Sequence, residues 1–95
     1  MRVKKEFMIR NIAGQDVIVA IGKAAMKYNG LLTVSPTGKF ILEHYQDAKD
    51  ISDLVRMVLD EFEVEPEIAA KDVVGFTNTM LEQGFIEMSN PEEGW

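Results

Sequence analysis

The side chains that most often perform acid–base or nucleophilic chemistry are scarce in this chain. It contains one histidine, His44, and no cysteine. No thiol nucleophile, zinc site or histidine-based metal cluster can therefore be assembled. The acidic run Asp60–Glu63 is predicted at a helix end, where its carboxylates are solvated and nothing marks them as a general acid and base. Phosphate-binding glycine loops are also absent. We therefore expect a protein that is not an enzyme and carries no cofactor or metal.

The composition is that of one small globular domain. The chain has 95 residues, of which 46% are hydrophobic and 27% charged. We expect the domain to span residues 1–88, with a polar tail at 89–95. No apolar run approaches the about 18 residues that cross a bilayer, and the basic start lacks the apolar run of a signal peptide. Together with the absence of cysteine, this leads us to expect a cytoplasmic protein with no membrane partner.

Strand patterns occupy the first third of the sequence. Residues 7–12 and 16–21 are rich in β-branched and apolar residues and flank a turn at Ala13–Gln15, so they predict a hairpin. The second run is apolar on both faces, which predicts that it is the more covered strand. A third short strand is predicted at Leu31–Val34, between Asn29–Gly30 and Ser35–Pro36.

Helical patterns occupy the remainder. Ser35 is a good N-cap for a first helix that runs to about Gln46, and Gly38 inside it favours close packing of another backbone. A third helix is predicted from Pro66 to a C-cap at Gly84, with Phe85–Met88 docking back as an extended segment. The second helix has apolar residues at i, i+3, i+4 and i+7 and is capped by Asp50 or Ser52; the apolar residues are Ile51, Leu54, Val55, Val58, Leu59 and Phe62.

These elements predict an α+β fold of the winged helix-turn-helix type, a three-stranded antiparallel sheet followed by three helices. Such folds often bind DNA, but the predicted third helix carries Lys71 alone against Glu67, Asp72 and Glu82. A duplex would repel this helix because recognition needs cations to neutralise phosphates. A DNA-binding or transcription-associated winged helix is therefore kept only as an alternative, and no nucleic-acid partner is expected.

The edge of the third strand is the remaining candidate for a binding site. The first strand is guarded by charges at Lys4–Glu6 and Arg10, whereas residues 29–35 carry none. An uncharged edge is an available template for strand addition by a peptide. Alternatively, a helix, the tail or a second copy of the chain covers it, and the last case gives a self-associating homodimer. The residues alone do not choose between these occupants.

Several segments, in their order and spacing, resemble the PqqD-like family. Tyr28–Val34 is an apolar strand that leads directly into Ser35–Gly38, the polar–x–Thr–Gly helix start of the family. The second helix ends in Glu61–Val64, and Gly84–Ile86 matches the closing Gly-Leu-Leu/Ile. The resemblance covers about residues 5–88. Members of this family are stand-alone recognition elements in the biosynthesis of ribosomally synthesised, post-translationally modified peptides.

The resemblance implies a function for the strand edge. The chain would be a chaperone-like adaptor that captures the leader of a precursor peptide by strand addition and presents it to a modifying enzyme, often a radical SAM enzyme. The adaptor itself would be non-catalytic. The resemblance assigns main-chain hydrogen bonds with the leader to Leu31, Leu32, Thr33 and Val34, and the groove beside the third helix to Val74, Thr77, Asn78 and Leu81.

Overall fold

The structure, a computed structural model, describes residues 1–27, 32–90, 92 and 95. Its main sheet contains β2 (Phe7–Ile12), β3 (Gln15–Ala20) and β4 (Leu32–Val34), all antiparallel and in the order β2-β3-β4. The predicted hairpin is confirmed: β2 and β3 pair from Phe7↔Ala20 to Ile12↔Gln15. Gly14 lies in its turn with φ +83°, a conformation that few other residues adopt.

The central strand, β3, is the more covered one, as its sequence predicts. Val17 and Ile18 point to opposite faces of the sheet, and both are buried. A 3₁₀ helix, Gly22–Met26, follows β3. The predicted third strand corresponds to β4, but its first residue, Leu31, lies outside the described residues.

Three helices follow the sheet: α1 (Pro36–His44), α2 (Ile51–Glu61) and α3 (Pro66–Glu82). The α+β prediction of a three-stranded antiparallel sheet and three helices is confirmed. The α1 N-cap is Ser35, whose side chain accepts a hydrogen bond from the Gly38 amide at 3.1 Å. The α2 N-cap is Asp50, whose side chain accepts from the Asp53 amide. Such caps satisfy amides that the first helical turn leaves without partners.

The two ends of the chain meet in a second, two-stranded sheet. Here β1 (Arg2–Val3) pairs with β5 (Ile86–Glu87), and an ion pair of 3.0 Å joins Arg2 to Glu87. The predicted extended segment after Gly84 is thus confirmed. Gly84 itself has φ +78°, which ends α3 and turns the chain towards β1.

The core lies between the main sheet and the three helices, and it anchors the elements that form the candidate site. Its largest fully buried side chains are Tyr45, Ile41, Leu54, Ile86, Val58 and Val73. Their burial supplies most of the driving force for folding. None of the helices in the described part of the chain is long and apolar enough to span a membrane.

Candidate functional site

The open edge of β4 is the first component of the site. One side of β4 pairs with β3 through Asp16↔Val34, Val17↔Thr33 and Ile18↔Leu32. Because β4 is last in the strand order, no described strand pairs with its other side. An unpaired edge presents backbone amide and carbonyl groups that can pair with another chain. The side chain of Val34 is buried in the core and Leu32 is half-buried, whereas Thr33 is exposed.

A groove of about 540 Å³ runs between this edge and α3. This volume lies within the roughly 300–1,000 Å³ of ordinary ligand sites. The floor of the groove is apolar because Ile41, Val34 and Met80 reach it from α1, β4 and α3. The groove therefore combines main-chain hydrogen-bonding capacity on one side with apolar surface beneath it.

The α3 wall of the groove consists of two rows of residues, each with a spacing of four, which places the members of a row on one helix face. The rim row, at the exposed margin, is Lys71, Gly75, Thr79 and Gln83. The floor row begins at the exposed Asp72 and continues towards the core through the half-buried Phe76 and the buried Met80.

Contact between Gly38 and Phe76 fixes where the floor lies. A Cβ atom at position 38 would be 3.1 Å from Cε1 of the Phe76 ring. The absence of a side chain at Gly38 therefore lets the ring lie directly on the first turn of α1. The close approach at Gly38 is thus made by the side chain of Phe76 and not, as the sequence suggested, by another backbone. Both Gly38 and the ring line the groove.

Polar or charged side chains make up half of the described residues that line the groove. Lys71 is the one cation among the described residues that line it, and the Asp72 carboxylate lies beside it. The Thr79 hydroxyl donates to the Gly75 carbonyl at 3.0 Å. No cluster of three or more histidine or acidic side chains that could hold a metal converges anywhere in the described residues. The arrangement is suited to binding an extended, partly apolar chain.

The four α3 residues assigned to the groove from sequence lie on another face of the helix. Val74, Thr77, Asn78 and Leu81 do not line the groove beside β4, but a smaller pocket with Met1, Ile51, Met88 and Trp95. Of the residues assigned to the site from sequence, Leu32, Thr33 and Val34 thus share the groove, while the α3 set is separated from them by the width of the helix.

The reason for this difference is the burial of Thr77. Its polarity suggests a ligand-facing position, but Thr77 is only 4% exposed and its Oγ1 forms a 2.8 Å hydrogen bond with the Tyr45 hydroxyl. Burial raises the pKa of Tyr45 to about 12, and the bond to Thr77 offsets part of that rise. Thr77 therefore faces the core, and Val74, Asn78 and Leu81 lie with it at the smaller pocket.

Gly75 and Phe76 are groove residues that the sequence alone did not identify. The helical spacing of α3 favours a core position for Phe76, yet its side chain is half-buried and lies on the groove floor. Gly75 is a mid-helix glycine, which costs about 1 kcal/mol relative to alanine and so is itself a sign of a packing or functional requirement.

Fold and groove together define a small α+β binding domain with an open strand edge beside a helix. Residues 15–86 match the family described as Coenzyme PQQ synthesis protein D (PqqD). The chain belongs to this family, as its sequence resemblance predicted. Comparison with the curated proteins gave no match.

Two solved structures share the fold. One is TbiB1 in complex with the TbiA(β) leader peptide, with a TM-score of 0.70 and 13% identity over 95% of this chain and 99% of that chain. The other is lasso peptide synthetase B1 complexed with the leader peptide, with a TM-score of 0.67 and 19% identity over 87% of this chain and 92% of that chain. At these identities the likeness establishes the fold.

Proposed function

We propose that the chain is a non-catalytic adaptor that captures the leader of a ribosomal precursor peptide and presents it to a modifying enzyme. The observation that carries the proposal is the open edge of β4 facing an apolar-floored groove. Membership of the PqqD family supports it, as do the leader peptides bound by the two structural neighbours.

The leader adds to the outer edge of β4 as a further strand. Leu32, Thr33 and Val34 are its main-chain partners, with Leu31 proposed beside them from the sequence alone. On the α3 side, the contacts come from the rim and floor rows instead of the face that carries Val74. This assignment keeps the strand half of the sequence-derived site and replaces its helix half.

The binding free energy of a leader requires both the β4 edge and the groove beside α3. Backbone hydrogen bonds contribute about 1 kcal/mol net each, whereas a micromolar complex needs about 8 kcal/mol after the cost of association. An edge of three described residues cannot supply that amount. Burial of an apolar side chain adds about 1.5–3 kcal/mol, so leader side chains on the groove floor must supply much of the remainder.

The proposal also includes the class of the modifying enzyme to which the adaptor presents the leader. We assign it to the radical SAM class because the family resemblance implies that class, and we place the adaptor in the cytoplasm with its precursor. The edge of β4 is also the surface through which two copies would pair. Peptide addition and self-pairing use the same backbone groups and therefore compete.

A display library of random 12-residue peptides tests the proposal and does not require the sequence of the leader. Peptides enriched by the wild-type protein are resynthesised, and the tightest is termed the selected peptide. Single N-methylation of its backbone amides is then scanned along its length. Strand addition predicts losses of affinity at alternate positions, because every second amide faces β4.

Two outcomes would contradict the proposal. Failure to enrich any peptide removes it, as does an N-methyl scan without alternation. Sedimentation with and without the selected peptide tests whether a second copy of the chain occupies the edge of β4. A dimer that dissociates as the peptide binds would show that the two compete for the edge of β4, whereas a dimer that persists at saturating peptide would show that they use different surfaces.

A further inference from the structure

The rim of the groove is interrupted at Gly75. Its neighbours along the rim row are Lys71 and Thr79, one helical turn away on each side. Nothing in the described structure lies within 4 Å of the position where a Cβ atom of residue 75 would stand. The α3 wall therefore has a notch at Gly75, open to the groove and bordered on its inner side by Phe76.

No contact among the described residues explains the notch. Gly38 is needed because the Phe76 ring occupies the space that a side chain would take. Gly75 has no such neighbour and has an ordinary helical φ. A glycine in a helix interior costs about 1 kcal/mol relative to alanine, so the helix would be more stable without it. The space in front of Gly75 is thus available to something from outside.

The surroundings of the notch define what fits it. The Gly75 carbonyl already accepts the Thr79 hydroxyl at 3.0 Å, in addition to its place in the helix. The nearest floor surface is the half-buried ring of Phe76. The notch therefore offers an aromatic surface and no free backbone acceptor, which favours an apolar occupant over a polar one.

We propose that the notch at Gly75 is a specificity pocket that takes one large apolar side chain of the bound peptide. The inference rests on the proposed function. Packed layers of secondary structure stand about 10 Å apart, so a strand added to β4 reaches α3 through its side chains. Only every second residue of that strand faces α3. The residue facing Gly75 has the deepest space, because the helix contributes no side chain there.

Repeating the library selection with two variants tests the inference. Gly75→Leu fills the notch, and Ser52→Leu adds the same side chain to an exposed position of α2 outside the groove. The wild-type protein and Ser52→Leu are expected to enrich peptides with a large apolar residue at one fixed position. Gly75→Leu is expected to enrich small residues at that position and to keep the other preferences.

The specificity pocket also predicts measurable changes in peptide affinity. Gly75→Leu is expected to weaken the selected peptide at least about tenfold, which corresponds to about 1.4 kcal/mol. The selected peptide with its large residue changed to alanine is expected to bind both proteins equally. Thermal unfolding midpoints at or above that of the wild-type protein would show that the Gly75→Leu protein is folded.

The outcomes separate the inference from the function on which it rests. If the wild-type protein enriches no peptide, the proposed function fails. If it enriches peptides with the N-methyl alternation but Gly75→Leu shows the same preferences and affinities, the function stands and the notch is overturned as a specificity pocket. Only a change of residue size at one position, seen with Gly75→Leu but not with Ser52→Leu, supports the pocket.

Discussion

Gly38 on α1 and Phe76 on α3 are packed so closely that a Cβ atom at position 38 would stand 3.1 Å from one ring carbon and 3.3 Å from another. Contacts this short require one partner to move. The ring is the partner that can move, because Phe76 is half-buried and has the groove beside it. The geometry of the proposed peptide site thus depends on the packing of the Phe76 ring against Gly38.

The Gly38→Ala substitution is expected to weaken peptide binding while the protein stays folded. The added methyl displaces the Phe76 ring into the groove, while the gain in helix propensity, about 1 kcal/mol, offsets much of the crowding cost of about 1–3 kcal/mol. Urea unfolding should change by less than about 2 kcal/mol, and the selected peptide should bind several-fold more weakly. Unchanged affinity together with a larger loss of stability would contradict this account of the ring.

Substitutions of Tyr45 and Thr77 are expected to have non-additive effects on the free energy of unfolding, because the two side chains share a hydrogen bond. Tyr45→Phe or Thr77→Val alone leaves a buried hydroxyl without its partner, which costs about 1–3 kcal/mol. The double variant removes both hydroxyls and should be more stable than the sum of the single changes predicts. Urea unfolding of all four proteins gives the coupling energy.

The same proteins also test where Thr77 lies. Since Thr77 faces Tyr45 and does not line the groove, the folded Thr77→Val protein should bind the selected peptide as the wild-type protein does. A marked loss of affinity in Thr77→Val, without a matching change in Tyr45→Phe, would return this residue to the binding site.

The pH dependence of stability at alkaline pH follows from Tyr45. Burial raises its pKa in the folded protein to about 12, against about 10 in an unfolded chain. Below pH about 10 both states keep the phenolic proton, so its contribution to stability is complete. As pH rises from about 10 towards about 12, the unfolded state loses the proton first and stability falls.

Urea unfolding at about pH 9 and about pH 11 measures this slope. Tyr45→Phe is the matched control, because it lacks the phenol but keeps every other group that titrates in the same range. The wild-type protein should lose more stability than Tyr45→Phe over the interval. Equal losses in the two proteins would show that the Tyr45 phenol does not titrate as its burial requires.

Local patterns were sufficient to predict most elements of this fold. The apolar spacing from Ile51 to Phe62 fits an amphipathic helix. Ser35, Asp50 and Gly84 mark helix ends through interactions with residues only a few positions away. Strand β1 was not predicted. Its two residues carry no pattern of their own and form a strand only because β5 returns from the other end of the chain.

The uncharged third strand was visible in the sequence for the same reason, and its part in the candidate site stays a prediction. The helix half of the site was not visible. Thr77 is polar, yet it is buried with Ala69, Val73 and Met80 and bonds to Tyr45, 32 positions away, a contact that the local sequence does not reveal. Gly75 was the available signal, because a helix interior rarely keeps a glycine without a reason.

Backbone amide NMR during titration with the selected peptide tests the central claim most directly. Strand addition to β4 predicts the largest shifts at residues 32–34 and along the rim and floor rows of α3. New cross-strand contacts should join the peptide to the β4 amides. Shifts confined to the face of α3 that carries Val74 and Leu81, or to the β2–β3 hairpin, would contradict the claim that this groove is the peptide-binding site.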